Sequence, residues 1–150
     1  RSKLSTEIMS ENVWLNWILT PLERPPPHGR TVFHNLPVLE KLKSAYLLWY
    51  GYYQILPKPH RHSLGRRVDN IFVEIIEAIA SAAFLSPHEK QPFVRLAIRK
   101  LDTLKLFLML LWETKSLDNK KYIALSQVIE PIGKMLGGWH GQLTKKTPPK

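Results

Sequence analysis

The chain has 150 residues, 44% of them hydrophobic, which is enough for one domain with a substantial core, whereas two domains would each be marginal. It contains no cysteine, which excludes disulfides, thiolate metal sites and cysteine nucleophiles and suits a reducing cytoplasm. The formal net charge of +10 favours a polyanionic partner such as nucleic acid, although such a charge also simply keeps a protein soluble. The longest apolar run, residues 106–112, is far shorter than the roughly 20 residues that cross a bilayer, so we expect no membrane partner and a cytoplasmic protein.

The N-terminal residues 1–35 are predicted to form a proline-rich arm. Three consecutive prolines at residues 25–27 separate this arm from a longer body. Within the arm, residues 5–19 can form a short helix with Trp14 and Trp17 on one side. Two tryptophans this close together favour burial, so the arm is expected to dock on its own bundle, on a neighbouring subunit or on a partner.

Four segments of the body have apolar residues at alternating spacings of three and four, which predicts four amphipathic helices. The first two cover about residues 36–56 and 63–85, the third opens at Ser86 and Pro87, and the fourth is capped by Asp118. The residues expected in the core are Leu39, Leu42, Tyr46, Trp49, Tyr53 and Leu56, then Val68, Phe72, Ile75, Ile79 and Ala82, then Val94, Ala97, Leu101, Leu104, Leu108 and Leu111, and finally Tyr122, Leu125, Ile129, Ile132, Leu136 and Trp139.

The connections between these helices are short, which makes consecutive helices antiparallel neighbours. The predicted fold is therefore all-α, an antiparallel up-down-up-down four-helix bundle over residues 36–143. Residues 144–150, which end in Lys-Pro-rich sequence, are predicted to be a basic disordered tail.

The second half of the fourth predicted helix has two unusual features. Pro131 predicts a kink or a local opening of the helix, at a cost of about 3 kcal/mol. Gly133, Gly137 and Gly141 recur every fourth residue, which predicts close packing within the bundle or between subunits. The residues assigned to oligomer packing are Gly133, Gly137 and Trp139, together with Tyr50 and Tyr52, which lie off the core stripe of the first helix.

Residues 57–67, between the first two predicted helices, are strongly basic and contain no acid. They lead into a helix N-terminus, where unpaired backbone N–H groups favour anions, so we predict a phosphate-binding surface; the alternative is a solvated basic loop. Arg95 and Arg99, one turn apart on the third helix, add to it, although Asp102 is placed to pair with Arg99. The residues predicted to bind nucleic acid or a polymerase are Lys58, Arg61, His62, Arg66, Arg67, Arg95, Arg99 and Lys100.

No pattern in the sequence supports a catalytic or metal site. His60 and His62 have no evident third ligand and are flanked by positive charge. Glu74 and Glu77 share a helix face but lack the acidic cluster that divalent cations need. We therefore expect a protein that is not an enzyme and that uses no cofactor and no metal. A helical ribonuclease is the enzymatic alternative. Such an enzyme needs Arg and His about one turn apart on one helix, so that both meet a phosphate, and no predicted helix of the body has this pair.

Four short motifs carry a family resemblance: HSLGRR at residues 62–67, KLDTLK at 100–105, LDNKKY at 117–122 and IGKMLGGW at 132–139. Over about residues 36–141 the chain resembles the small four-helix-bundle family that includes the accessory variability determinant of diversity-generating retroelements and the proteins encoded in ribosomal-RNA intervening sequences. The resemblance implies a ring-forming homo-oligomer, usually a pentamer, with no enzymatic activity. It also implies that Arg66, Arg67, Arg95 and Arg99 face nucleic acid or a polymerase.

For the retroelement members of this family, the resemblance implies binding to a reverse transcriptase and to template RNA, or to DNA or an RNA/DNA hybrid, in support of mutagenic cDNA synthesis. We therefore expect a non-catalytic, oligomeric accessory protein with these two partners. The alternative is an RNA- or protein-binding bundle of the intervening-sequence type, which has no reverse-transcriptase partner.

Overall fold

The computed structural model describes residues 36–146, with side chains described to residue 145. The predicted N-terminal arm with its short helix and the last four residues of the predicted tail lie outside the described residues. The described part contains four long helices and a single helical turn, Lys58–Arg61. The long helices are α1 (Pro37–Gln54), α2 (Leu64–Ala83), α3 (Pro87–Glu113) and α4 (Asn119–Lys146). No strand occurs between residues 36 and 146.

The four helices pack as a closed bundle. Helix α2 packs against α1 and α3, and α4 packs against α3 and α1, so each helix has its sequence neighbour beside it and the last helix returns to the first. The predicted all-α, up-down-up-down four-helix bundle is confirmed. Every residue of the predicted core stripes is either buried or packs half-buried against the core. Alternating spacings of three and four therefore located the buried face of each helix correctly.

The core is aromatic where α1 meets α2. Trp49 of α1 and Phe72 of α2 are fully buried, and their rings stack with centroids 6.2 Å apart. Tyr46 meets the edge of Phe72 at 5.7 Å. The indole Nε1 of Trp49 donates to the Asp69 carboxylate at 3.2 Å, so its polar group is satisfied inside the core. Burial and a hydrogen bond with Asp69 raise the pKa of Tyr46 to about 12.

The helix starts at α3 and α4 follow the predicted caps. At the start of α3, the Glu89 carboxylate accepts hydrogen bonds from the hydroxyl of Ser86 at 2.8 Å and from its backbone N–H at 3.3 Å. These two bonds lower the pKa of the Glu89 carboxyl. At the start of α4, Asp118 Oδ1 accepts the N–H of Lys121 at 2.8 Å. Both turns are therefore held by a side-chain acid.

Helix α3 ends in a Schellman motif that was not predicted from the sequence. The N–H of Ser116 donates to the Leu111 carbonyl at 2.8 Å, and the N–H of Lys115 donates to the Trp112 carbonyl at 2.9 Å. Lys115 has a φ of 67°, the left-handed region where glycine is usual and where another L-residue costs roughly 1–2 kcal/mol. The turn is therefore made with a residue that does not favour it.

Three helix boundaries differ from the prediction. Helix α1 ends at Gln54 and α2 at Ala83, each two residues early, because the next N–H groups bond three residues back instead of four. Helix α4 extends to Lys146, so residues 144–146 are helical and the predicted boundary of the disordered tail at 144 is wrong. The reason is packing: Leu143 is buried against Ala82 and Val94.

Helix α4 continues through Pro131. Proline cannot donate to the Gln127 carbonyl four residues earlier. Both Pro131 and Gln127 are exposed, so the missing hydrogen bond lies on a solvent-facing side of α4, where water can satisfy the carbonyl.

The C-terminal glycines do not pack closely within the bundle, so of the two predicted alternatives only packing between subunits stays a prediction. A Cβ at Gly137 or Gly141 would meet no atom within 4 Å, and at Gly133 it would make only ordinary contacts at 3.5 Å. The close approach is at Gly65, the second residue of α2, where a Cβ would lie 2.7 Å from Leu56 Cδ1 and 2.8 Å from the His60 carbonyl oxygen. The glycine therefore lets the α1–α2 connection pack onto α2.

Candidate nucleic-acid interface

The connections from α1 to α2 and from α3 to α4 lie at the same end of the bundle. We call residues 55–67 and 112–121 together the loop end. A hydrogen bond of 2.5 Å joins His60 Nδ1 in the first connection to Ser116 Oγ in the second. Leu56 and Leu117 are buried, which ties both connections to the core. The loop end is therefore one continuous structure made from two distant parts of the sequence.

The α1–α2 connection uses its own polar groups to hold its shape. The guanidinium of Arg61 donates to the Leu56 carbonyl from Nε at 3.2 Å and from Nη2 at 2.9 Å. Ser63 Oγ donates to the Pro59 carbonyl at 2.8 Å. Arg61 is half-buried, so the predicted phosphate-binding role of this residue is not supported. Its guanidinium stabilises the connection, because it satisfies a carbonyl that the end of α1 leaves unpaired.

The N-terminus of α2 has no side-chain cap and no acid in its first turn. Arg66 and Arg67 lie in that turn, and both are exposed. Within residues 36–145, neither has a carboxylate at ion-pairing distance. Lys58 and His62 are exposed beside them. Four of the predicted binding residues therefore surround a helix N-terminus that its own side chains do not neutralise.

The α3–α4 connection adds lysines to the same end. Lys115 and Lys120 are exposed. Lys121 is half-buried, with its Nζ 3.8 Å from the Asp118 carboxylate and 5.9 Å from the centre of the Tyr52 ring. Lys115 has a positive φ, a conformation in which glycine is usual. Residue spacing in the sequence therefore does not identify Lys115 as part of the basic surface at the loop end.

The predicted basic residues of α3 form a separate group. Arg95 and Arg99 are exposed, and the expected pair between Asp102 and Arg99 is wrong, because no such ion pair is present in the described part of the chain. Lys100 pairs with Glu74 of α2 at 3.1 Å, so its charge is locally balanced. Glu74 lies eight residues after Arg66, about 12 Å along the α2 axis. This group therefore lies along the side of the bundle, away from the loop end.

The residues predicted to pack between subunits differ in their exposure. Tyr52 and Trp139 pack half-buried against the bundle's own core. Tyr50 and Gly137 are exposed, and Tyr50 lies 6.2 Å from Tyr46 in a stacked arrangement. The predicted role of these residues in subunit packing stays a prediction, and Tyr50 and Gly137 offer the most surface for it.

A small cavity of about 180 Å³ lies between α3 and α4. It is lined by Lys105, Leu108, Tyr122, Ser126, Ile129 and Glu130. The Lys105 ammonium lies 3.8 Å from the Glu130 carboxylate. Among residues 36–146, no three His, Asp or Glu side chains are grouped as metal ligands. Over the same span, no helix has both the length and the apolar character needed to cross a membrane.

No family model, no curated protein and no solved structure matches this chain. The resemblance to the retroelement and intervening-sequence bundles stays a prediction from the sequence.

Proposed function

We propose that this protein is a non-catalytic nucleic-acid-binding four-helix bundle that contacts phosphates through its loop end. The observation that carries the proposal is the N-terminus of α2, which has neither cap nor acid and is flanked by exposed Arg66 and Arg67. Backbone N–H groups at a helix start and arginine side chains both donate to phosphate oxygens. Lys58, Lys115 and Lys120 extend the positive surface around them.

We further propose that the protein acts as an accessory to a reverse transcriptase, binding template RNA as a homo-oligomer, in the cytoplasm. The support is the sequence resemblance, whose motif at residues 62–67 coincides with the start of α2. Helix α1 also has apolar side chains for subunit contact: Leu47 and Tyr50, one turn apart, are 60% and 48% exposed. Native mass in solution measures the oligomeric state.

The test is RNA binding by the Arg66→Ala/Arg67→Ala double variant. We expect its affinity to fall at least about 10-fold, and the slope of log affinity against log salt concentration to decrease by about 1.4, because two phosphate contacts are lost. The matched control is Arg95→Ala/Arg99→Ala, which removes the same charge from the side of α3 and is expected to lower affinity less. Equal effects of the two double variants would place the interface elsewhere than the loop end.

Co-purification with the polymerase of a neighbouring gene separates the two forms of the proposal. Capture of both the polymerase and RNA supports the retroelement accessory. RNA binding with no polymerase supports the alternative, an intervening-sequence type of bundle. RNA cleavage by the purified protein would contradict both.

A further inference from the structure

Trp112, in the last turn of α3, is held rigidly at the surface of the loop end. Its ring stacks on Tyr122 of α4, with centroids 4.8 Å apart and planes 8° from parallel. Its Nε1 donates to Asn119 Oδ1 at 2.6 Å. Even so, 37% of the residue is exposed. Tyr122 covers one face of the indole, which leaves the other face as the one that a ligand could contact.

Lys115 occupies the strained position immediately after this turn. Its φ of 67° is one that glycine adopts freely and lysine does not, and its N–H donates to the Trp112 carbonyl at 2.9 Å. Nothing in the packing of the turn requires a long side chain here, since Lys115 is exposed. The strained backbone at an exposed lysine makes Lys115 a candidate for a functional ammonium.

The segments around Trp112 are basic. Ser116, the next residue after Lys115, is bonded to His60, so this turn is continuous with the basic α1–α2 connection. Lys120 is exposed in the first turn of α4. Of the two acids nearby, Asp118 is engaged by Lys121, and Glu113 is exposed. The turn and the start of α4 next to Trp112 therefore carry more lysines than acids.

We infer that Trp112 and Lys115 form a binding site for one unpaired nucleotide, the base stacking on the indole and the phosphate meeting the ammonium. This inference rests on the proposed function and deepens it, because it assigns the ligand as single-stranded nucleic acid. An aromatic ring gives a stacking surface to any unpaired base, whereas the bases of a duplex have no free face to offer. The fixed indole orientation means that little side-chain freedom is lost on binding.

The first test compares a labelled 12-nucleotide single-stranded uridine-rich RNA with an RNA duplex of the same length. We expect Trp112→Leu to weaken single-strand binding by about 10-fold and to leave duplex binding unchanged, since only stacking is removed. Trp112→Phe keeps an aromatic face and is expected to recover part of the loss. Circular dichroism establishes that each variant is folded.

The second test, Lys115→Gly, cannot fail through unfolding, because glycine relieves the backbone strain. We expect the melting temperature to rise while the single-strand affinity falls several-fold and the salt slope decreases by about 0.7. The matched control is Lys41→Ala, which removes one exposed lysine near the start of α1, at the other end of the bundle, and is expected to keep the affinity of the unmodified protein.

The outcomes separate this site from the proposed function. If the Arg66→Ala/Arg67→Ala variant loses RNA affinity while Trp112→Leu and Lys115→Gly bind the single strand normally, the nucleotide site is overturned and the interface stands. If Trp112→Leu weakens duplex and single strand equally, stacking is overturned. If the unmodified protein binds no RNA, both proposals fall.

Discussion

The starts of α2 and α3, at opposite ends of the bundle, differ in how their unpaired N–H groups are neutralised. Each helix begins with unpaired N–H groups and a partial positive charge. At the start of α3, Glu89 supplies the negative charge by its bonds to Ser86. At the start of α2, in the loop end, Ser63 turns its hydroxyl to Pro59 and two arginines follow. The start of α3 is therefore neutralised by its own side chains, whereas no side-chain cap or first-turn acid neutralises the start of α2.

The contrast extends to the other two helices. Glu40 lies in the first turn of α1, and Asp118 bonds the first turn of α4. Among the four long helices of residues 36–146, α2 alone lacks an acid at its start. An acid-free helix start followed by two arginines is the arrangement expected if the proposed phosphate-binding surface is present. The missing acid is thus as informative as the arginines that are present.

The largest expected effect comes from the glycine that holds the loop end together. Gly65→Ala should reduce the free energy of unfolding by about 2–3 kcal/mol, because the new methyl group would collide with Leu56 and with the backbone of His60. Gly137→Ala is the matched control: it meets no atom within 4 Å and should stabilise α4 by up to about 1 kcal/mol. Urea unfolding measures both. A destabilised Gly137→Ala variant would instead indicate that Gly137 packs against a second subunit.

The next effect concerns the joint between α1 and α2 behind the loop end. Asp69→Ala should cost about 2 kcal/mol, because it leaves the buried Trp49 N–H without an acceptor. Asp102→Ala, which removes an exposed carboxylate of α3, should change the free energy of unfolding by less than about 0.5 kcal/mol. Equal costs would show that the Trp49 hydrogen bond contributes nothing.

The same carboxylate affects the alkaline limit of stability. The pKa of Tyr46 is raised from 10.0 to about 12, so the folded state favours the neutral phenol. The resulting stabilisation is fully present below pH 10 and is lost as the pH rises through about 12. Absorbance titration of Asp69→Ala should show Tyr46 ionising at lower pH, though still above 10 because burial is the larger cause. An unchanged titration would contradict the assigned hydrogen bond.

A smaller effect follows from giving α2 the acidic start that the other helices have. Ser63→Asp should stabilise the protein by about 0.5 kcal/mol through the helix dipole. The same carboxylate should weaken RNA binding several-fold, because it competes for Arg66, Arg67 and the helix start. Ser63→Asn, which adds no charge, is the control. An Asp variant that binds RNA as tightly as the Asn variant would contradict the assignment of this helix start as the anion site.

The smallest effect is expected at the opposite end. The lowered pKa of Glu89 means that its contribution to stability is present above about pH 4.5 and disappears as the pH falls through the folded-state value. Glu89→Gln should therefore be less stable than the unmodified protein at neutral pH and should lose this difference in acid. RNA affinity should stay the same, and a change in affinity would connect this end to binding.

Much of the fold followed from the sequence because helix packing repeats a simple spacing. Trp49, Phe72 and Leu104 were all expected in the core, and Asp118 was expected as a cap. The glycines show where such reasoning ends: Gly65 and Gly137 look alike in sequence, but only the path of the α1–α2 connection brings atoms against Gly65. Identical residue types therefore acquire different roles through contacts between distant segments.

The candidate site was predictable in outline only. The basic segment at residues 57–67 was evident from composition, yet Arg61 donates to the Leu56 carbonyl just before that segment and Arg66 does not. The position of Lys115 was not predicted, because its left-handed conformation is set by the end of α3. Trp112 was one member of an apolar run, and its exposure depends on where α4 begins. These distinctions arise from backbone geometry, which residue spacing does not contain.

Hydrogen exchange with and without single-stranded RNA tests the central claim most directly. Binding at the loop end predicts slower exchange in residues 55–67 and 112–121, with residues 83–90 at the opposite end unchanged. Protection confined to residues 83–90, or to the side of α3 around Arg95 and Arg99, would contradict the assignment of the loop end as the nucleic-acid interface.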